Sequence, residues 1–196
     1  MRLIVAAELI QKAYDNKLGV LEKSRFDVGG AQAILLTDGT LVIPGTNEAG
    51  DWRDFNLAIT AGDSDRKWHA GFLAHAQLVY AFAKGAGARL VLGHSLGAAS
   101  AQIVASSLGI PAICYASPRP LRGRTRFKGE HRILNICRHD DTVCHLPFVF
   151  LGFRQLGKVH WVSPKEPQSA GSHKIKDYLR AMDQGTARPA LPETWG

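Results

Sequence analysis

The stretch RLVLGHSLGAASAQIVASSLG, residues 89–109, decides the fold of this chain. Residues 89–92 are short and mostly apolar, which is typical of a buried parallel strand. The Ala-rich residues 96–108 predict a helix that ends before Gly109. Between strand and helix, glycines lie two residues before and two residues after Ser95, where they relieve the crowding of a tight turn. The stretch therefore predicts a strand, a sharp turn with a serine at its tip, and a helix.

Ser95 is the candidate nucleophile of a hydrolase. Its Oγ would stand above the sheet near the positive end of the helix, and the N–H of Leu96 would point toward a developing oxyanion. The alternative is that Ser95 only caps the helix. A serine needs a base to take its proton. The hydrolase interpretation therefore requires a carboxylate and then a histidine further along the chain.

Two carboxylates lie where such a site needs them. Asp140 and Asp141 directly follow a predicted strand at residues 132–137, so they are expected at its carboxyl end, on the same sheet edge as Ser95. The alternative is that both belong to a solvated turn. Position alone does not choose between the two aspartates.

Three histidines follow the aspartates. His145 is too close to them in sequence to reach across easily, and His160 lies inside the apolar run VHWV and is interpreted as a strand residue. His173 opens a predicted helix, residues 172–183, after a Gly/Ser-rich loop that would let it face a cleft. His173 is therefore the candidate base, and a plain helix-terminal residue is the alternative.

The rest of the chain alternates strands and helices. Apolar runs at 31–36 and 41–43 flank Asp38-Gly39, which predicts an antiparallel hairpin with a tight turn. Further elements are a helix at 72–84, strands at 112–116 and 159–162, and an amphipathic N-terminal helix. Alternation of this kind predicts an α/β sandwich with a mostly parallel sheet. The 196 residues suit one compact domain, with a loose tail from about residue 185 to 196.

Five segments together carry a family resemblance: LVIPGTNEAGDW (41–52), WHAGF (68–72), GHSLGAA (93–99), YASPR (115–119) and DDTVCHLP (140–147). In this order they resemble the class 3 (fungal-type) lipase family of the α/β-hydrolase superfamily. The resemblance runs from about residue 31 to residue 180. It implies an α/β-hydrolase three-layer sandwich with a mostly parallel central sheet and an N-terminal antiparallel hairpin.

The resemblance also implies roles for single residues. Ser95 matches the nucleophile, Asp141 rather than Asp140 matches the triad aspartate, and His173 matches the late histidine. Thr46 takes the place of the first oxyanion residue, so its backbone N–H is expected to act with that of Leu96.

The chain departs from the family pattern at three positions: Pro44 in place of Arg, Ala116 in place of Gly, and Cys144 in place of Pro. Pro44 removes a charge and a backbone donor, which affects the shape expected for the oxyanion loop. Residues 47–59, which often form a lid in the family, predict a short amphipathic lid or none.

The function implied is hydrolysis of carboxylic esters of lipids or other acyl compounds through a Ser-His-Asp triad and an acyl-enzyme. No cofactor and no metal are expected. Alternatives are a phospholipase or a thioesterase of the same fold, or a non-catalytic protein that binds an acyl ligand or a partner.

The net charge of +7 lies entirely in residues 101–196, and residues 119–138 hold seven basic side chains against Glu130 alone. Such a segment predicts peripheral contact with an anionic lipid surface, and a solvated basic loop is the alternative. Nucleic acid is not expected, because no aromatic interleaving or recognised module accompanies the charge. Three widely spaced cysteines, with no recognised signal peptide or membrane-spanning segment, predict a cytoplasmic location.

Overall fold

A computed structural model describes residues 1–45, 59–60, 66–126, 128–165 and 172–196. Within these residues the helices are α1 (Leu3–Tyr14), α2 (Ala70–Gly85), α3 (Leu96–Leu108) and α4 (Ile175–Gln184). The strands are β1 (Glu22–Val28), β2 (Ala31–Leu36), β3 (Thr40–Ile43), β4 (Ile59–Thr60), β5 (Lys67–His69), β6 (Leu90–His94), β7 (Ala112–Tyr115), β8 (Leu121–Arg122), β9 (Ile133–Arg138), β10 (Phe153–Arg154), β11 (Lys158–Ser163) and β12 (Thr186–Arg188). No helix in these ranges is both long and apolar enough to cross a membrane.

The described strands form a large mixed sheet in the order β1-β2-β3-β6-β7-β9-β11-β12. Its centre, from β3 to β11, is parallel, and β1, β2 and β12 run antiparallel to their neighbours. The hairpin between β2 and β3 turns at Gly39, whose φ of +86° requires glycine. The predicted hairpin and mostly parallel sheet are confirmed.

Two apolar cores lie on opposite faces of the sheet. The buried residues of α2 and α3 pack with one face of the strands, and those of α1 and α4 pack with the other. The central strands are buried on both faces, which explains their continuous apolar sequences. The predicted three-layer sandwich is therefore confirmed.

Several elements were not predicted from the sequence. Strand β1 extends the hairpin at the sheet edge, and β4, β5, β8 and β10 form a smaller sheet of short pieces. The chain end also differs from the expected loose tail. Residues 186–188 pair with β11, and the backbones of Met1 and Trp195 exchange two hydrogen bonds of 2.9 Å.

Close packing around the turn after β6 explains the glycines that flank Ser95. A Cβ on Gly97 would lie 2.1 Å from the carbonyl oxygen of Ile43, and a Cβ on Gly93 would lie 2.5 Å from that of Gly97. Both clashes are with backbone atoms, so no side chain could move away to relieve them. Glycine is therefore required where α3 crosses the ends of β3 and β6.

We predict that Gly97→Ala destabilises the fold by about 3 kcal/mol or more, because the added methyl group forces strand and helix apart. Gly85→Ala is the matched control. A Cβ on Gly85, the last residue of α2, meets nothing within 4 Å. That variant should be stabilised by about 0.5–1 kcal/mol. Urea denaturation measures both, and equal stability of the two variants would contradict the packing argument.

Candidate active site

Ser95 lies at the tip of the predicted turn, between the last residue of β6 and the first residue of α3. Its φ is +59°, a left-handed conformation that is strained for a residue with a side chain. Its N–H donates to Tyr115 O at 3.1 Å, and its carbonyl accepts from Ala98 N at 2.9 Å. These bonds to β7 and α3 hold the strained backbone in place.

Ser95, His173 and Asp141 form a continuous chain of hydrogen bonds. Ser95 Oγ lies 2.6 Å from His173 Nε2, and His173 Nδ1 lies 2.9 Å from Asp141 Oδ2 and 3.1 Å from Oδ1. An ionised carboxylate can only accept, so Nδ1 carries the proton and Nε2 accepts from the serine hydroxyl. Asp141 follows β9, and His173 comes two residues before α4. Three separate segments therefore meet at one edge of the sheet.

Asp141 is buried but well supplied with donors. Tyr178 Oη donates to its Oδ2 at 2.7 Å, and Val143 N–H donates to its Oδ1 at 3.0 Å. Burial by itself raises the pKa of Asp141, but the hydrogen bond and charge of His173, with the donors Tyr178 and Val143, hold it below its ordinary value. The carboxylate therefore stays ionised, as an orienting partner for the imidazole must.

A second chain of hydrogen bonds lies behind the first. His94 Nε2 lies 2.8 Å from the carbonyl oxygen of His173, and His94 Nδ1 lies 2.8 Å from Tyr14 Oη. Tyr14 Oη accepts from Gly45 N–H at 2.6 Å. The His173 carbonyl can only accept, so His94 carries its proton on Nε2 and accepts at Nδ1 from the tyrosine hydroxyl.

Burial keeps this second chain uncharged. It lowers the pKa of His94 to about 3, with a further contribution from the charge of His173. Burial also raises the pKa of Tyr14, so its hydroxyl keeps its proton. The sequence offers no signal for the role of Tyr14, and it gives His94 only a place in the segment GHSLGAA (93–99). In the structure, hydrogen bonds link His94 and Tyr14 to the carbonyl of His173 and to the N–H of Gly45, the residue before Thr46.

The other predicted residues fall in different places. The N–H of Leu96 begins α3 and therefore has no acceptor within the helix. Asp140 turns away from the serine and pairs with Arg138, with oxygen–nitrogen distances of 2.7 and 2.9 Å. His145 and His160 bond the carbonyls of His139 and Pro189. Thr46 and residues 47–58 of the expected lid lie outside the described residues.

No family model matches the chain, and no curated protein matches it in sequence. Solved structures do match. Lipase II from Rhizopus niveus superposes with a TM-score of 0.62 at 18% identity, over 88% of this chain and 79% of that one. The Rhizomucor miehei lipase–propeptide complex gives 0.59 at 18%, over 82% of this chain and 66% of that one. A triacylglycerol lipase described as having a serine protease triad gives 0.60 at 18%, over 82% and 77%.

The chain therefore has the fold of the fungal lipases, an α/β-hydrolase fold. The resemblance that its motifs carry is confirmed at the level of fold. The structure also brings together the three side chains which that resemblance singled out, in hydrogen-bonding order.

We predict that acid destabilises this fold through two histidines, the buried His94 and the half-buried His75. Burial lowers the pKa of His75 to about 4, and that of His94 to about 3, from an ordinary 6.5. Below about pH 6.5 the unfolded chain binds these protons and the folded chain does not. The stability contributed by their neutral forms is complete above that pH, and it is lost as the pH falls toward 4.

Urea denaturation across this pH range measures the effect. His75 bonds Ser100 Oγ at 2.6 Å, so His75→Gln keeps a polar partner for the hydroxyl while removing the titration. In that variant, the slope of the free energy of unfolding against pH should be smaller by about 1.4 kcal/mol per pH unit. An unchanged slope would contradict the assignment of a neutral His75 in the folded protein.

Proposed function

We propose that this protein is a serine hydrolase that cleaves carboxylic esters of lipids or other acyl compounds. The observation that carries the proposal is the hydrogen-bonded order Ser95–His173–Asp141 at the tip of a strand-to-helix turn. This arrangement supports nucleophilic catalysis, because each group supplies what its neighbour needs to act.

In the proposed mechanism, His173 Nε2 takes the Ser95 proton as Oγ attacks the ester carbonyl. Asp141 holds the imidazole in the required tautomer and stabilises the imidazolium that forms. His173 then gives the proton to the leaving alcohol, and an acyl-serine remains. In the second half of the reaction, water attacks the acyl carbon while His173 removes a proton from it. The bond to Ser95 Oγ then breaks, His173 returns the proton to Oγ, and the acid is released.

The oxyanion of each tetrahedral intermediate needs donors that are already in place. The N–H of Leu96 is suited to this role, and Thr46 N–H is the second donor that we propose. Each donor of this kind is worth about 3 kcal/mol of barrier reduction. Gly45 supports the proposal, because a Cβ there would lie 2.7 Å from Ser95 Cβ. Only glycine lets the segment that leads to Thr46 approach the nucleophile this closely.

Tyr14 and His94 are proposed as positioning residues. His94 holds the carbonyl of His173, and Tyr14 holds the N–H of Gly45, so one chain of bonds sets both the base and the start of the oxyanion segment. Because Tyr14 and His94 are both uncharged, they position these groups without competing with Asp141 for the imidazolium.

The proposed substrate class follows from the fold neighbours, one of which is described as a triacylglycerol lipase. A phospholipase or thioesterase would use the same site. A non-catalytic acyl-binding protein is disfavoured, because it has no need of a serine, a base and an acid in hydrogen-bonding order. The proposed location is the cytoplasm.

We predict that Ser95→Ala lowers the hydrolysis of p-nitrophenyl butyrate by about 10⁴-fold or more, because the nucleophile is lost. The matched control is Ser107→Ala, at an exposed serine on the same helix whose hydroxyl donates to the Ile103 carbonyl. It should keep full activity. Retention of activity by Ser95→Ala would overturn the proposed nucleophile.

We predict that Tyr14→Phe lowers kcat about tenfold with little change in KM, because the ring stays and both hydrogen bonds go. Tyr80→Phe is the control, since Tyr80 is a half-buried residue of α2 that packs against the opposite core. Steady-state kinetics with denaturation curves separate positioning from folding. Equal kcat in wild type and Tyr14→Phe would contradict the positioning role.

A further inference from the structure

The loop after Asp141 ends in an exposed apolar tip. Phe148, Val149 and Phe150, called the apolar apex below, are 47%, 66% and 79% exposed. The two rings stack on each other, with centroids 5.3 Å apart and planes 11° from parallel. Three consecutive large apolar side chains held in water are unusual for a surface with no partner.

The apolar apex is an ordered feature rather than a loose end. Leu151 N–H donates to Phe148 O at 3.1 Å, and Gly152 N–H donates to Val149 O at 2.9 Å, which closes a single turn. Below the turn, the guanidinium of Arg119 donates to Pro147 O at 3.2 Å. The structure therefore fixes these side chains in their exposed position.

Exposed cationic side chains lie on, or just after, two strands of the smaller sheet into which this tip leads. Lys67, Arg122 and Arg124, called the basic rim below, are exposed. Arg122 lies against the end of the apex turn, because its Cγ is 3.5 Å from where a Cβ of Gly152 would be. Lys67 lies directly opposite Arg122 across the antiparallel pair β5–β8. In the described part of the chain, none of the three forms an ion pair.

The structure divides the basic segment 119–138 into two groups. Arg119 and Arg138 are buried, and Arg138 pairs with Asp140. Arg132 is exposed but donates to the carbonyl of Gly109, beyond the end of α3. These three are therefore held by the protein's own acceptors, whereas Lys67, Arg122 and Arg124 are exposed and have no ion-pair partner among the described residues.

We propose that the apolar apex and the basic rim form a docking surface for an anionic lipid bilayer. The apex would enter the interfacial region while the rim meets the headgroup phosphates. A second copy of this chain is a poorer occupant, because it would bring a like-charged rim. Nucleic acid is also poorer, because the two rings already stack on each other and an aliphatic side chain separates them in sequence.

The apolar apex lies close in sequence to Asp141, a residue of the candidate active site. The apolar apex begins seven residues after Asp141, on the chain that leaves the carboxyl end of β9. Docking there would bring the edge of the sheet that holds Ser95 to the bilayer. The proposal rests on exposure and charge alone, so it stands independently of the ester chemistry.

Co-sedimentation with phosphatidylcholine vesicles, with and without phosphatidylglycerol, tests the proposal. We expect binding that needs phosphatidylglycerol and weakens with salt. Phe150→Ser should weaken binding about tenfold, and the double variant Arg122→Gln/Arg124→Gln should weaken it about 25-fold, at about fivefold per cation. Val20→Ser, at an exposed valine elsewhere, and Arg132→Gln are the matched controls and should bind like wild type.

Denaturation curves confirm that each variant folds, and repeating the series with Ser95→Ala protein separates docking from hydrolysis. Binding that is absent, or that the apex and rim variants leave unchanged, would overturn the proposal. So would self-association without vesicles that Phe150→Ser abolishes, or binding to a duplex oligonucleotide without binding to vesicles. Loss of hydrolysis with retained docking would instead count only against the proposed enzyme.

Discussion

The close crossing of β6, α3 and β3 is the constraint on which the rest of the structure depends. The backbone of α3 passes so near the end of β3 that Gly97 has no room for a Cβ, and the turn between strand and helix forces Ser95 to a positive φ. The turn places the serine hydroxyl at the carboxyl edge of a parallel sheet, where the chain that follows β9 also emerges. The residues before α4 deliver His173 to the same edge.

Burial then decides the charge of each group at that edge. Asp141 keeps its charge because three donors, His173 Nδ1, Tyr178 Oη and Val143 N–H, compensate for its lost hydration. For His94, burial outweighs the hydrogen bond to the His173 carbonyl and the charge of Asp141, so its pKa is lowered to about 3 and it stays neutral. Among the described residues, Asp141 is the one carboxylate that hydrogen-bonds to His173. The stability of the fold and the protonation state of the site are set by the same buried groups, so acid acts on both.

The sequence predicted the large features because they rest on local rules. Apolar runs, turn glycines and helical periodicity predicted the hairpin, the central strands and the helices. The ordered motifs singled out Ser95, Asp141 and His173, which the structure brings within hydrogen-bonding distance and whose catalytic roles we propose. Tyr14 could not be predicted, because its role depends on α1 packing beside β3 and β6, a tertiary contact with no local signal. Strands β1 and β12 were missed because edge strands have half-exposed, mixed sequences.

The structure shows the surroundings of two residues that depart from the family pattern, Ala116 and Cys144. Ala116, which stands where the family has glycine, has a φ of +51°, so this chain holds an alanine in a conformation that glycine adopts at lower cost. Cys144 is buried, and its Sγ lies 3.2 Å from the Tyr178 hydroxyl that supports Asp141. In the described part of the chain, neither residue hydrogen-bonds to Ser95 or His173, and the hydrogen-bonded order of the site is kept.

The central claim is that His173 and Asp141 make Ser95 a nucleophile. The most direct measurement is reaction with a fluorophosphonate, followed by peptide mass spectrometry to locate the adduct. The labelling rate is then compared among the wild-type, Asp141→Asn and Asp140→Asn proteins. The account predicts a stoichiometric adduct on Ser95, strongly slowed labelling in Asp141→Asn, and a nearly normal rate in Asp140→Asn. No adduct on Ser95 in the folded protein, or a larger effect at Asp140 than at Asp141, would contradict it.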